Sequence, residues 1–207
     1  MSTDPRERPE KETARVEAFS DGVFAIAITL LVLDLKVPRG SGNRLGTELV
    51  ESWPSYGAFL VSFATIGIMW LNHHRLFTLI HRVDHALLVL NGLLLLTITV
   101  VPYPTSLLAA HLGSEGARLA ALVYCGWFIV IAIAFNVFWR YVSSPERRPP
   151  LLRHALDSPQ VREITAAYRF GPLWYVVAFL LSYWHALAGI AVCGALALFF
   201  ALPPRAA

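Results

Sequence analysis

Charge is scarce in this sequence. Asp, Glu, Lys and Arg make up 15% of 207 residues, against about 25% in an ordinary soluble domain. Cysteine is scarcer still, with 2 residues, which excludes a disulfide-stapled scaffold. The chain contains no nucleotide-binding glycine loop, no zinc-ligand spacing and no nucleophile elbow, so nothing in it points to an enzyme. A Thr-Val-Gly-Tyr-Gly string is also missing. Any ion selectivity would therefore come from something other than a ring of filter carbonyls. The first fifteen residues, MSTDPRERPEKETAR, lack the apolar stretch and small-residue cleavage pattern of a signal peptide, and 1–15 reads as a retained polar cytosolic leader.

What fills the chain instead is hydrophobic: 56% apolar, 12% aromatic, mean hydropathy +0.55. Disorder is excluded by that content. Four uncharged runs follow the leader, at 52–72, 86–114, 119–139 and 170–204. A helix needs about 20 residues to cross the hydrocarbon core. The last run, 35 residues long, is too long for one span and is interrupted at Ser182-Tyr-Trp-His185, so it reads as two short helices. With the first apolar segment this predicts an all-α polytopic membrane protein. Its single domain, 16–207, has six helices at about 16–36, 52–72, 86–109, 119–140, 166–181 and 186–202.

The basic residues set the orientation. With the N-terminus in the cytosol, the leader, the second-to-third loop (Arg75, Arg82), the fourth-to-fifth loop and the tail hold 13 of the 17 Lys and Arg. Only Lys36, Arg39, Arg44 and Arg118 lie on the other side. Positive residues collect on the cytosolic side, so both termini are expected there, in the cell (plasma) membrane. The pI of about 9.1 then follows from membrane orientation, and no nucleic acid is needed to explain it. The loop over 142–158, rich in Pro and Arg, reads as a linker near anionic headgroups. Cys125 and Cys193 fall inside apolar spans and read as packing thiols.

The first apolar segment is unlike the others. Its uncharged core, 22–33, has 12 residues, or about 18 Å of helix. Extending it to 16–36 brings in Glu17, Asp21 and Asp34. Ionisable groups at such depth face other helices or water, so this helix is expected inside an assembly. His73 and His74 are adjacent, about 100° apart on a helix, and cannot chelate one metal. His81 and His85 flank a charged turn and read as solvated. No metal or other cofactor is expected.

That helix opens with Arg15-Val-Glu-Ala-Phe19-Ser20-Asp21. The Arg-x-x-x-Phe-Ser-Asp string resembles the signature of the transmembrane protein 175 family, which contains the lysosomal potassium channel and bacterial relatives. The resemblance continues through Trp70-Leu-Asn-His73-His74-Arg-Leu-Phe77, Asn91-Gly-Leu-Leu-Leu-Leu and Val101-Pro102-Tyr103-Pro104-Thr105. A single six-helix copy looks like the bacterial form, which implies a homotetramer. It also implies a cation channel lined by the first helix, with potassium favoured over sodium and no group bound besides the permeant ions. The implied pore stripe is Ile26, then Thr29 with neighbouring Leu30, then Leu33.

Helix geometry bears on the stripe independently. Gly22, Ile26, Thr29 and Leu33 are spaced 4, 3 and 4 and share one face. By periodicity alone such a face is ordinary packing surface, with Thr29 satisfied on the carbonyl of Ala25. The short uncharged core and the motif favour the pore. Asp21 points about 140° away from Ile26, towards neighbouring spans. Arg15, Phe19, Ser20 and Asp21 are expected to form a network that sets the angle of the first helix, with His73, His74 and Asn91 as partners. The alternative is that Arg15 snorkels and Asp21 caps a helix end. Glu17 and Asp34 would place acidic rings at the two pore mouths, although Asp34 could equally pair with Lys36.

Three rival functions differ in what they require. A secondary transporter of a small solute or ion predicts inverted repeats and interrupted helices, and three-plus-three symmetry is not evident here. A membrane enzyme would need a nucleophile or metal spacing beside His73, His74 and Asp21. Against a non-conducting scaffold only the acidic first helix argues, and weakly. Among conducting alternatives, a proton leak stays open. One lining helix cannot enclose a pore, so conduction requires an oligomer.

Overall fold

The structure, a computed structural model, describes residues 7–35, 44–146 and 149–201. Lys36 and Arg39, the loop residues Arg147 and Arg148, the tail residue Arg205 and leader residues 1–6 lie outside it, and so does the Asp34–Lys36 pair.

Among the described residues the chain is helical, apart from one isolated antiparallel bridge between Ile80 and Leu152. The helices are α1 (Glu7–Leu30), α2 (Arg44–Glu51), α3 (Trp53–Leu79), α4 (His85–Thr99), α5 (Pro102–His111), α6 (Ala117–Val142), α7 (Pro159–Trp184) and α8 (Ala186–Ala201). A 3-10 turn, Leu31–Asp34, continues α1. Five stretches are long and apolar enough to cross a membrane: Lys11–Asp34, Trp53–Leu79, His85–His111, Ala117–Val142 and Pro159–Trp184. The 16 residues of α8 make about 24 Å of helix, short of the roughly 30 Å hydrocarbon core.

The helix bounds differ from expectation where charge or proline intervenes. Helix α1 begins at Glu7, well before residue 16, because the polar leader is built of good helix formers. Helix α3 runs seven residues past 72, to Leu79, and α7 starts at Pro159 rather than 166, since charged residues end a hydrophobic run without ending a helix. The third span is two helices. Pro102 has no N–H for the Ile98 carbonyl, and Val101 N–H donates to that carbonyl instead at 3.1 Å. The short amphipathic α2 was not anticipated.

Local chemistry sets the ends. Asp84 caps α4, its Oδ1 accepting from Leu87 N–H at 2.8 Å, an arrangement that contributes about 1 kcal/mol. The same carboxylate accepts from the Tyr141 hydroxyl at 2.8 and 2.9 Å, tying α6 to the α3–α4 turn. The loop after α6 returns to that turn: His81 N–H donates to Leu151 O at 2.7 Å and Arg153 N–H to Leu79 O at 2.9 Å, with Leu151 and Leu152 buried. Helices α7 and α8 form a hairpin about His185. They cross closely at Gly189, where a Cβ would lie 1.8 Å from Ser182 Oγ and 2.7 Å from Ala178 O.

Several buried polar groups inside the bundle pair with one another, as a membrane interior favours. Ser62 Oγ lies 2.8 Å from Thr105 Oγ1 and 3.0 Å from the Tyr124 hydroxyl. Trp127 Nε1–H donates to Thr97 O at 2.9 Å. Cys125 and Cys193 are free, buried and 3.5 Å apart, with Ser182 Oγ 3.2 Å from Cys125 Sγ.

Candidate ion pathway on the first helix

Helix α1 packs against α3 and α4, and its two faces are unlike. Thr13, Ser20, Phe24, Ala27 and Leu31 are buried, at the spacing of one helical stripe. The opposite face carries Phe19, Gly22, Ile26, Thr29, Leu30 and Leu33. Phe19 is 66% exposed, Ile26 59% and Leu33 75% in the isolated subunit. The stripe is therefore not packing surface within one chain. Thr29 is exposed as well, and its hydroxyl donates to Ile26 O at 2.9 Å, three residues back rather than to Ala25. With that hydrogen committed, the oxygen presents its lone pairs outward.

The buried face holds a polar chain. Ser20 Oγ–H donates to Val16 O at 2.8 Å, and Asn91 Nδ2–H donates to Ser20 Oγ at 2.9 Å. Asn91 Oδ1 lies 2.9 Å from His73 Nε2. Since an amide oxygen only accepts, that contact requires the proton on Nε2. His73 Nδ1 is then an acceptor, and it is buried without a partner. The ring is held between Phe24, 5.3 Å away, and Phe77, stacked at 4.5 Å.

Two contacts flank this chain. Glu17 Oε1 lies 2.6 Å from His74 Nδ1, and Asp21 Oδ1 accepts from Trp70 Nε1–H at 2.8 Å. Trp70 and His74 are four apart on α3 and stack at 6.3 Å, so one face of α3 reads both Glu17 and Asp21.

Of the residues singled out in the sequence, Ser20, Asn91 and His73 come together as one chain. The carboxylate of Asp21 does not join it; its partner is Trp70, which sequence reasoning missed. The signal was available in the i, i+4 pairing of Trp70 with His74. Glu17 lies against His74 rather than standing free at a mouth. Arg15 is exposed and makes no hydrogen bond among the described residues, and Phe19 points away from α3 and α4. Asp34 is half-buried at the end of the 3-10 turn. Among the described residues no cluster of three or more His, Cys, Asp or Glu could hold a metal.

Comparison with known proteins places this geometry. Residues 15–102 match the family described as endosomal/lysosomal potassium channel TMEM175. A protein named as a potassium channel from Chamaesiphon minutus is 52% identical over 204 residues, covering 97% of this chain and 99% of that one. A second potassium channel, from Streptomyces collinus, is 44% identical over 191 residues, with 91% of each chain covered. The crystal structure of a lysosomal potassium-selective channel TMEM175 homolog from Chamaesiphon minutus superposes with a TM-score of 0.82 at 49% identity, over 95% of this chain and all of that one. This is a multi-pass membrane protein, and it belongs to the TMEM175 family.

Proposed function

We propose that this chain is a potassium channel selective for potassium over sodium, whose pore is lined by α1 of four copies. In this reading the six spans are α1, α3, the broken α4–α5 pair, α6, α7 and α8, with both termini in the cytosol and the assembly in the plasma membrane. The observation that carries it is the unpartnered stripe of Gly22, Ile26, Thr29, Leu30 and Leu33, opposite a face fully buried against α3 and α4. The potassium channels named among its relatives support the choice of ion.

The stripe would act as rings. A ring of Ile26 side chains offers no ligand to a cation that sheds water, so a narrow pore there blocks by dewetting. Rotation or splaying of α1 would widen it. At Thr29 the hydroxyl hydrogen is spent on the Ile26 carbonyl, so four oxygens would face a partly dehydrated ion. Potassium gives up hydration more cheaply than sodium, and weak oxygen ligands therefore favour it. The chain of His73, Asn91 and Ser20, with Trp70 on Asp21, would set the angle of α1. Histidines beside that helix could make gating pH-sensitive.

The test is a bi-ionic potassium/sodium recording from purified protein in planar bilayers, with a large impermeant cation as control. A reversal potential favouring potassium, with current that needs no second solute, is the expected result. Silence in the bilayer together with saturable, solute-coupled uptake into vesicles would overturn the reading in favour of a transporter.

A further inference from the structure

Helices α3, α6, α7 and α8 line a half-open cavity of about 60 Å³. It uses Met69 and Asn72 on α3, whereas the contacts of α3 with the first helix come from Trp70, His73 and His74. Its walls are apolar, with Ala132 and Phe135 of α6 and Phe200 of α8 among them. Two carboxamides, Asn72 and Asn136, also line it.

Helix α7 explains one of them. Pro172 sits inside α7 and has no N–H, so the carbonyl of Tyr168, four residues earlier, has no helical partner. Asn136 Nδ2–H donates to that carbonyl. Its own Oδ1 accepts nothing among the described residues. The carboxamide of Asn72 has no hydrogen-bond partner among them at all, although it is half-buried on a membrane-spanning helix. Unpaired amide groups in hydrocarbon are costly. The cavity therefore combines an apolar body with unsatisfied donors and acceptors.

Size narrows the occupant. One water fills about 10–15 Å³ on this measure, so the cavity holds roughly four to six atom-sized positions. No ionisable carboxylate, Lys, Arg or His lines it, which argues for an uncharged guest. A phospholipid acyl chain ends in a methyl group and has no polar end to offer the two amides. We propose that this cavity is a binding site for a small uncharged amphiphile of the aliphatic-alcohol class, its hydroxyl on the amides of Asn72 and Asn136 and its chain against Met69, Ala132 and Phe135. The inference is independent of conduction by the first helix.

The test is photolabelling of the purified full-length protein in phosphatidylcholine vesicles with a diazirine-bearing aliphatic alcohol, adducts being mapped by mass spectrometry. Adducts should concentrate on cavity residues from at least two helices. 1-Pentanol should compete about tenfold better than pentane or 1-decanol. Ala132→Phe and Ala197→Leu fill the cavity from different helices, and each should lower adduct yield about tenfold in protein whose helix content and thermal midpoint match the parent. Asn72→Leu keeps the space and should lower it several-fold. Adducts spread along lipid-facing residues, unchanged yield in the filled variants, or equal competition by pentane and pentanol would each overturn the proposal. The last would mark a plain hydrocarbon slot, and unchanged yield in Asn72→Leu would reject the hydroxyl contact.

Discussion

The indole N–H of Trp70 donates to the carboxylate of Asp21 across the α1–α3 contact at 2.8 Å. It gives the acidic residue of the motif a neutral partner, so the helices are joined without a second charge. A hydrogen bond to an ionised group is worth about 1.5–3 kcal/mol, and partial exposure reduces it to about 1 kcal/mol here. Trp70→Phe should lower the thermal midpoint of detergent-solubilised protein by about 2–4 °C. Asp21→Asn, which keeps the accepting oxygen, should lose less than Asp21→Ala. The double variant Trp70→Phe/Asp21→Ala should be no worse than the worse single one; additive losses would show that the two do not act as a pair.

Asn91 stands between two buried groups, and its loss should cost more than the loss of either neighbour. Asn91→Leu leaves His73 Nε2–H without an acceptor and takes the donor from Ser20, a penalty of about 2–4 kcal/mol. Ser20→Ala strands a single amide hydrogen, at about 1 kcal/mol. Chemical or thermal denaturation in detergent should reproduce that order. Equal effects would mean that the chain is not continuous.

In the proposed pore, Ile26→Asn should raise single-channel conductance, because an amide in place of the isoleucine ring would keep water there. Unchanged or smaller current would remove Ile26 from the gate.

Thr29→Val preserves shape and removes the oxygen. The potassium-to-sodium permeability ratio, read from the bi-ionic reversal potential, should fall towards unity, and Thr29→Ser should largely restore it. A ratio unaffected by Thr29→Val would place selectivity elsewhere.

Gly189→Ala puts a methyl 1.8 Å from Ser182 Oγ and 2.7 Å from the Ala178 carbonyl. The hydroxyl can move but the backbone oxygen cannot. Destabilisation of about 3 kcal/mol or more is expected, only partly relieved by adding Ser182→Ala. Full relief would show that the helix backbones can part.

The spacing of 4, 3 and 4 places the α1 stripe on one face because it is a property of one helix, but by spacing alone that face reads as packing surface; the short uncharged core and the motif set it apart. Partner choice was not legible. Asp21 was matched to histidine and amide groups because charge and hydrogen-bonding capacity are easily read from sequence. An indole donor is recognised only once Trp70 and His74 are known to face α1 together. The interruption at Ser182–His185 correctly marked the α7–α8 turn, since polar aromatic residues break an apolar run. The hydrogen bond that Pro172 cannot make follows from the sequence, but not its remedy: Asn136 is 36 residues away, on another helix. Helix α2 escaped notice because its eight residues are too short to show a period.

The pairing of Ile80 with Leu152 has a mechanical consequence. Together with the Asp84–Tyr141 contact, it welds the adjoining ends of α3, α4 and α6, and the loop that follows α6, into one plate. The end of α1 on that side is attached to the plate through side chains, Glu17 to His74, Ser20 to Asn91 and Asp21 to Trp70, with no comparable main-chain seam among the described residues. In the proposed channel, torque on the first helix would therefore be carried by these three side-chain joints, with the seam-bound helix ends as the stator.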